Sequence, residues 1–197
     1  MSGPLLALLL SSLAIMGSPG PATISLTAAG SVHGVRRSLG YLAGIVLGTT
    51  IVLLAVASGV TAMLLAVPAV GSALIAASVC YILWLAFHIA TAPVAVVRDD
   101  GGPAPGLRGG TLLGVANPKA WVAIAAVFAS AHLASSAALD VGAKVAVLTA
   151  MIVLINTAWL LAGASLTSVL RDPCRARVVN IALAVVLVAA AVAALLD

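Results

Sequence analysis

Charge is what this sequence has least of. Only 7% of its 197 residues are Asp, Glu, Lys or Arg, against 63% hydrophobic. A soluble domain carries about 25% charged residues. So little charge cannot coat a water-facing core, and with lipid as the solvent no coat is required. Aromatics are scarce too, at 4%. The apolar mass is therefore Ala, Val, Leu and Ile, with 18 glycines that suit close helix packing in lipid. The two cysteines, Cys80 and Cys174, form no CxxC, so neither a disulfide framework nor a zinc site is expected. The acids are Asp99, Asp100, Asp140, Asp172 and Asp197, all in predicted loops or at the end. Their absence from the spans argues against a carboxylate-lined channel or proton relay and against an intramembrane aspartyl protease. HExxH and P-loop motifs are absent as well. The expectation is a protein that is not an enzyme, with no catalytic residue, metal site or cofactor. The formal charge of +4 comes from a few loop arginines; it reads as topology, not as a nucleic-acid footprint.

What is present is a series of apolar runs. Crossing roughly 30 Å of hydrocarbon takes about 20 residues of helix, and six stretches qualify. The first is Pro4 to Ala29, interrupted at Pro19-Gly20-Pro21. No Lys or Arg precedes it, unlike a secretory signal, so it reads as a retained first helix. The others are Leu39 to Val67, Val70 to Ala92, Thr111 to Leu133 (interrupted at Asn117-Pro118-Lys119), Gly142 to Val169 and Val178 to Leu196. The loops after helices one, three and five hold Arg36, Arg37, Arg98, Arg108, Arg171, Arg175 and Arg177, whereas the opposite side has Lys144 alone. The positive-inside rule puts those three loops in the cytoplasm and both termini outside.

The chain reads as a single all-α integral membrane domain, 1–197, built as two pseudo-repeats of about 1–97 and 98–197. In Gly17 to Ala22 and in Gly114 to Lys119 a Gly stands four residues before a Pro. Three helices per half gives the repeats opposite orientation, a plan common among secondary transporters. Helices one and four are thus both broken at Pro motifs. Proline removes a backbone donor and disrupts the preceding turn, and the carbonyls it frees must face protein, water or ligand. By these spans both breaks fall just cytoplasmic of mid-depth and line one site.

Pro19, Gly20, Pro21, Asn117, Pro118, Lys119 and Asn156 are the candidate substrate-binding residues. Lys119 is the only cation well inside a predicted span. Such a charge faces the bundle interior or water. It pairs with a substrate carboxylate, pairs with freed carbonyls, or snorkels to the interface. Asn117 either orients a ligand or caps the lower half-helix. Asn156, mid-helix in the fifth span, bonds another helix or contacts ligand. His88 either carries a coupling proton or sits idle at the interface. Gly40, Gly44 and Gly48 form a GxxxG series, a packing face within the chain or in a homodimer.

These features resemble the lysine exporter (LysE/RhtB) family of amino-acid translocators: the Pro-Gly-Pro of helix one, the Asn-Pro-Lys-Ala of helix four and six short helices. Gly34-Val35-Arg36-Arg37, the glycines of helix two, Tyr81 to Leu85, and Arg177 with Asn180 extend the resemblance over nearly the whole chain. It implies multi-pass residence in the bacterial inner membrane and efflux of an amino acid or derivative, driven by the proton-motive force. Amino acid, protons and lipid are then the partners. Where many members have an acid after the last helix-two glycine, this chain has Thr49; where many have a late helix-three Lys, it has His88. Thr49 and His88 are therefore the candidate coupling positions. The missing acid counts against proton coupling and a cationic substrate, and favours a neutral amino acid. Lys119 would then hold the carboxylate, and the unwound backbone around Gly20 the amino group. The alternative cargo is a metal cation or other toxic solute, for which Cys80 and His88 offer few ligands.

Overall fold

The computed structural model describes residues 2–59 and 104–165, together with Leu83, Phe87, Arg177, Val178, Ile181, Ala182, Val185 and Val188. Those isolated positions are helical and fall in or beside the predicted third and sixth helices. The rest of those helices, with Cys80, His88 and Cys174, lies outside the described residues. Every regular element among the described residues is a helix.

α1 covers Ser2–Ser11 and widens into a π turn, Ser12–Met16. The hydroxyls of Ser11 and Ser12 bond back to the carbonyls of Ala7 and Leu9, both at 2.8 Å. The helix then opens over 17–20, where Pro19 and Pro21 supply no N–H. α2, Pro21–Ala57, restarts with proline at its first position, where a missing N–H costs nothing.

Inside α2 lies the first departure from expectation. The sequence predicts a basic loop between Ala29 and Leu39. Instead the helix persists on both sides of a single non-helical residue, Gly34, at φ 72 and ψ 171. Only a residue without Cβ tolerates that region readily, so one glycine reverses the chain where a loop was expected. Ser25 and Tyr41 meet across the hairpin at 2.5 Å. Ser38 donates to Ala29 O at 3.1 Å and Gly34 O at 2.8 Å. Arg36 and Arg37 stay exposed at the turn. The second arm, 35–57, is roughly 34 Å long at 1.5 Å per residue, enough to cross a bilayer. It stops at Ala57, short of the predicted Val67, where Ser58 caps it and Gly59 turns at φ 81.

α3, Leu107–Ala116, and α4, Pro118–Ala129, meet at Asn117 with a 60° bend. α5, Ala137–Ser165, starts more than a turn before the predicted Gly142. That corrects one loop assignment, Asp140. Asp140 and Lys144 lie in the first turns of α5, buried, with the carboxylate 2.8 Å from the ammonium. Asp140 also accepts the N–H groups of Leu133 (2.5 Å) and Ala134 (3.3 Å), which ties down the α4–α5 connection. Lys144 lies 5.0 Å from the Phe128 ring centroid, a cation–π contact. His132 is the exposed outer member of the group, 3.5 Å from Asp140.

Lipid gives helices no hydrophobic reason to associate, so close backbone contact must do it. Gly44 and Gly48 of α2 interlock with Gly110 and Gly114 of α3: a Cβ on Gly48 would lie 3.0 Å from Gly114 Cα, and one on Gly114 2.9 Å from Gly48 Cα. These glycines pack within the chain. Large apolar side chains point the other way, with Leu112 71% and Val122 66% exposed, as expected of a lipid-facing surface. The long, apolar α2 and α5 meet the requirements of membrane spans, and α3 with α4 adds a bent one. Two buried apolar clusters result. One joins Leu8, Leu53, Ile124, Val127, Leu148 and Ile152; the other joins Ala22, Leu26, Tyr41, Ile45 and Leu160.

Candidate functional site

The breaks sit near the middle of their helices, between the segments 2–16 and 21–33 in one case and between α3 and α4 in the other. Each break thus lies closer to the middle of its helix than the predicted spans place it. The Gly34 hairpin also sets the register. Gly20 and Thr49 stand almost equally far along the chain from the turn, so they reach the same level. There a cavity of about 40 Å³ opens between the two apolar clusters, lined by Gly20, Thr49, Asn117, Lys119 and Asn156, with Met16, Ala123, Ile152 and Ile155 among its apolar walls. Five residues singled out from sequence thus share one cavity. A space of this measure holds about three waters, or part of a small solute. Pro19, Pro21 and Pro118 are not among its lining residues; the last two are the first residues of α2 and α4. His88 lies outside the described residues.

Lys119 reaches from the second break to the first. Its ammonium donates to the carbonyls of Ser18 and, at 3.0 Å, Pro19. The side chain passes directly over Gly20, where a Cβ would lie 2.6 Å from Lys119 Cδ. Of the three destinations open to Lys119 in the sequence, the freed carbonyls are the one occupied. The other carbonyls of the break are also partnered. Trp159 Nε1 of α5 donates to Gly17 O at 3.1 Å, and Gly20 O accepts from Ile24 N at 2.9 Å and Thr23 Oγ1 at 3.0 Å. The expectation that this unwound backbone awaits a substrate amino group therefore meets carbonyls already engaged. At the second break Trp121 Nε1 donates to Val115 O at 2.9 Å.

The amides behave differently. Asn117 occupies the N-cap position of α4, yet its side chain makes no cap hydrogen bond. Asn156 donates Nδ2 to Ile152 O at 2.8 Å, one turn back in its own helix, not to a neighbour. Among the described residues Oδ1 of each amide is buried without a hydrogen-bond partner, which costs about 1–3 kcal/mol per atom. Trp159, Trp121 and Thr23 were missed in the sequence. The signal was an indole N–H inside an apolar run, which requires an acceptor. Among the described residues no group of three or more His, Cys, Asp or Glu could hold a metal ion.

Comparison with known proteins gives the context. A family profile described as LysE type translocator matches residues 13–197. The cysteine/O-acetylserine efflux protein of Escherichia coli (strain K12) is 34% identical over 178 residues, 89% of each chain. The protein of the same name from Salmonella typhimurium (strain LT2) is 38% identical over 88 residues, 45% of this chain and 44% of the relative. In the Salmonella relatives the match thus spans less than half their length. No solved structure matches the chain.

Proposed function

Because the chain belongs to the LysE type translocator family, we propose that it exports a small neutral amino acid or derivative across the bacterial inner membrane. Cysteine and O-acetylserine, named for its relatives, are the first candidates. The single observation that carries this reading is the cavity where the two broken helices meet over Lys119.

The substrate carboxylate binds at Lys119. An ammonium has three donors, and the carbonyls of Ser18 and Pro19 take two. The third serves the carboxylate. The N-termini of α2 and α4, at Gly20 and Asn117, both line the cavity. Helix N-termini carry partial positive charge, and transporters with broken helices aim such ends at anionic groups. Pro19, Pro21 and Pro118 hold those ends open. Met16, Ala123 and Ile155 offer an apolar wall for a short side chain. Among the described residues the lining includes no acid, so a dibasic substrate would bring an unbalanced charge next to Lys119. A zwitterion would not.

Transport follows by alternating access. The two halves, 1–97 and 98–197, act as inverted repeats that rock around the cavity, and the apolar clusters on either side close in turn. The arginine-rich loops face the cytoplasm and the proton-motive force drives efflux, with Thr49, at the cavity, and His88 as coupling positions.

The test is efflux of labelled amino acids from cells expressing the wild type or Lys119→Ala. Rapid loss of one or a few, abolished by the substitution and by a protonophore, supports the exporter. No difference for any amino acid, with both proteins in the membrane, overturns it.

A further inference from the structure

Among the described residues the amide oxygens of Asn117 and Asn156 at the cavity are unpaired. Asn117 and Asn156 are 5% and 6% exposed, and Oδ1 of each lacks a hydrogen-bond partner. For Asn156 the orientation is settled by its other end: Nδ2 is committed to Ile152 O, so the oxygen is the free atom. For Asn117 the N-cap bond that would have used the oxygen is absent. Both residues line the cavity with Lys119 and Thr49. The site thus has a donor pole and an acceptor pole. The carbonyls of the first break do not compete for the acceptor role, since Lys119, Trp159 and Thr23 hold them.

Resting on the exporter reading, we infer that Asn117 Oδ1 and Asn156 Oδ1 form the subsite for the substrate's α-ammonium, with Thr49 Oγ1 as the third acceptor. An ammonium brings three N–H donors and no acceptor, which matches three acceptor oxygens. Neutral amides suffice because the zwitterion carries its own countercharge. The site therefore selects an unmodified α-amino group and rejects the same molecule once that nitrogen is acylated.

O-acetylserine and N-acetylserine are isomers that differ in this feature and provide the probe. Proteoliposomes holding the full-length protein are loaded with one labelled isomer at mildly acid pH, where the acetyl group does not migrate. Wild type is expected to release O-acetylserine at least tenfold faster than N-acetylserine. Asn156→Ala and Asn117→Ala bring that ratio towards one, whereas Asn117→Asp, which keeps an acceptor oxygen at a helix N-terminus that favours a carboxylate, retains it. Equal release of the isomers by wild type, or a preserved ratio in Asn117→Ala with Asn156→Ala, overturns the subsite and leaves the exporter standing. Release of neither isomer by wild type removes this cargo and the subsite together.

Discussion

The two helix breaks look alike in sequence, yet they are finished in opposite ways. The first spans 17–20, and its carbonyls are taken by groups from elsewhere: Trp159 at Gly17, Lys119 at Ser18 and Pro19, and Thr23 at Gly20. The second is a single residue, Asn117, at a 60° bend, with a free amide oxygen. A membrane interior penalises every unpaired backbone group. The longer break therefore had to recruit partners and became a braced joint. The shorter one exposes so little backbone that its side chain stays available. Opening a helix does not by itself make a binding site; what matters is which freed atoms other residues leave alone.

That contrast can be broken most directly at Lys119, which belongs to one break and braces the other. Lys119→Ala should lower export about 100-fold or more, some 2.7 kcal/mol, while insertion is retained. Efflux assays normalised to membrane abundance check this. Next comes Gly20→Ala. The backbone there is extended, with φ −167, so any residue fits it. A Cβ would however sit 3.1 Å from Lys119 Nζ and push the ammonium off its carbonyls. Export should fall roughly tenfold, and the melting temperature should drop because the carbonyls of Ser18 and Pro19 lose their donor. An unchanged melting temperature would contradict the brace.

The tryptophans sharpen the comparison on a stability scale. Trp159→Phe keeps the ring but leaves Gly17 O unpaired, a loss of about 1–3 kcal/mol. Trp121→Phe should cost less, about 0.5–1.5 kcal/mol, since its bond to Val115 spans only the short α3–α4 bend and draws in no element distant in sequence. Thermal unfolding in detergent ranks the pair, and the reverse order would mean the second break is the braced one. The smallest effect on transport belongs to Asp140→Asn. It leaves Lys144 buried without its ion-pair partner, which is destabilising. The melting temperature should drop while the preference among substrates is unchanged.

The membrane class, the two breaks and the single cation beside one of them were all legible in order along the chain. Each is local. A run of apolar residues is long enough to span or it is not, and a proline lacks its N–H wherever it stands. The glycine series was legible for the same reason, although its partner face on α3, Gly110 and Gly114, was not. Boundaries failed where one residue replaced an expected loop, as at Gly34, and where a helix began early enough to enclose a charge, as at Asp140.

What the sequence by itself determined is that this chain lives in lipid, opens two of its helices at proline motifs and carries Lys119 into that opening. Apolar run length and backbone donor loss dictate those facts without reference to the rest of the chain. Only the tertiary structure decided that Lys119 reaches Ser18 and Pro19, that Trp159 crosses from α5 to Gly17, that Thr49 arrives level with Gly20, and that the oxygens of Asn117 and Asn156 are left over. The physical reason is that a freed carbonyl specifies a need for a donor and not its identity. The donor is whichever residue the helix packing brings within about 3 Å, and at the first break two of the donors come from residues more than a hundred positions away.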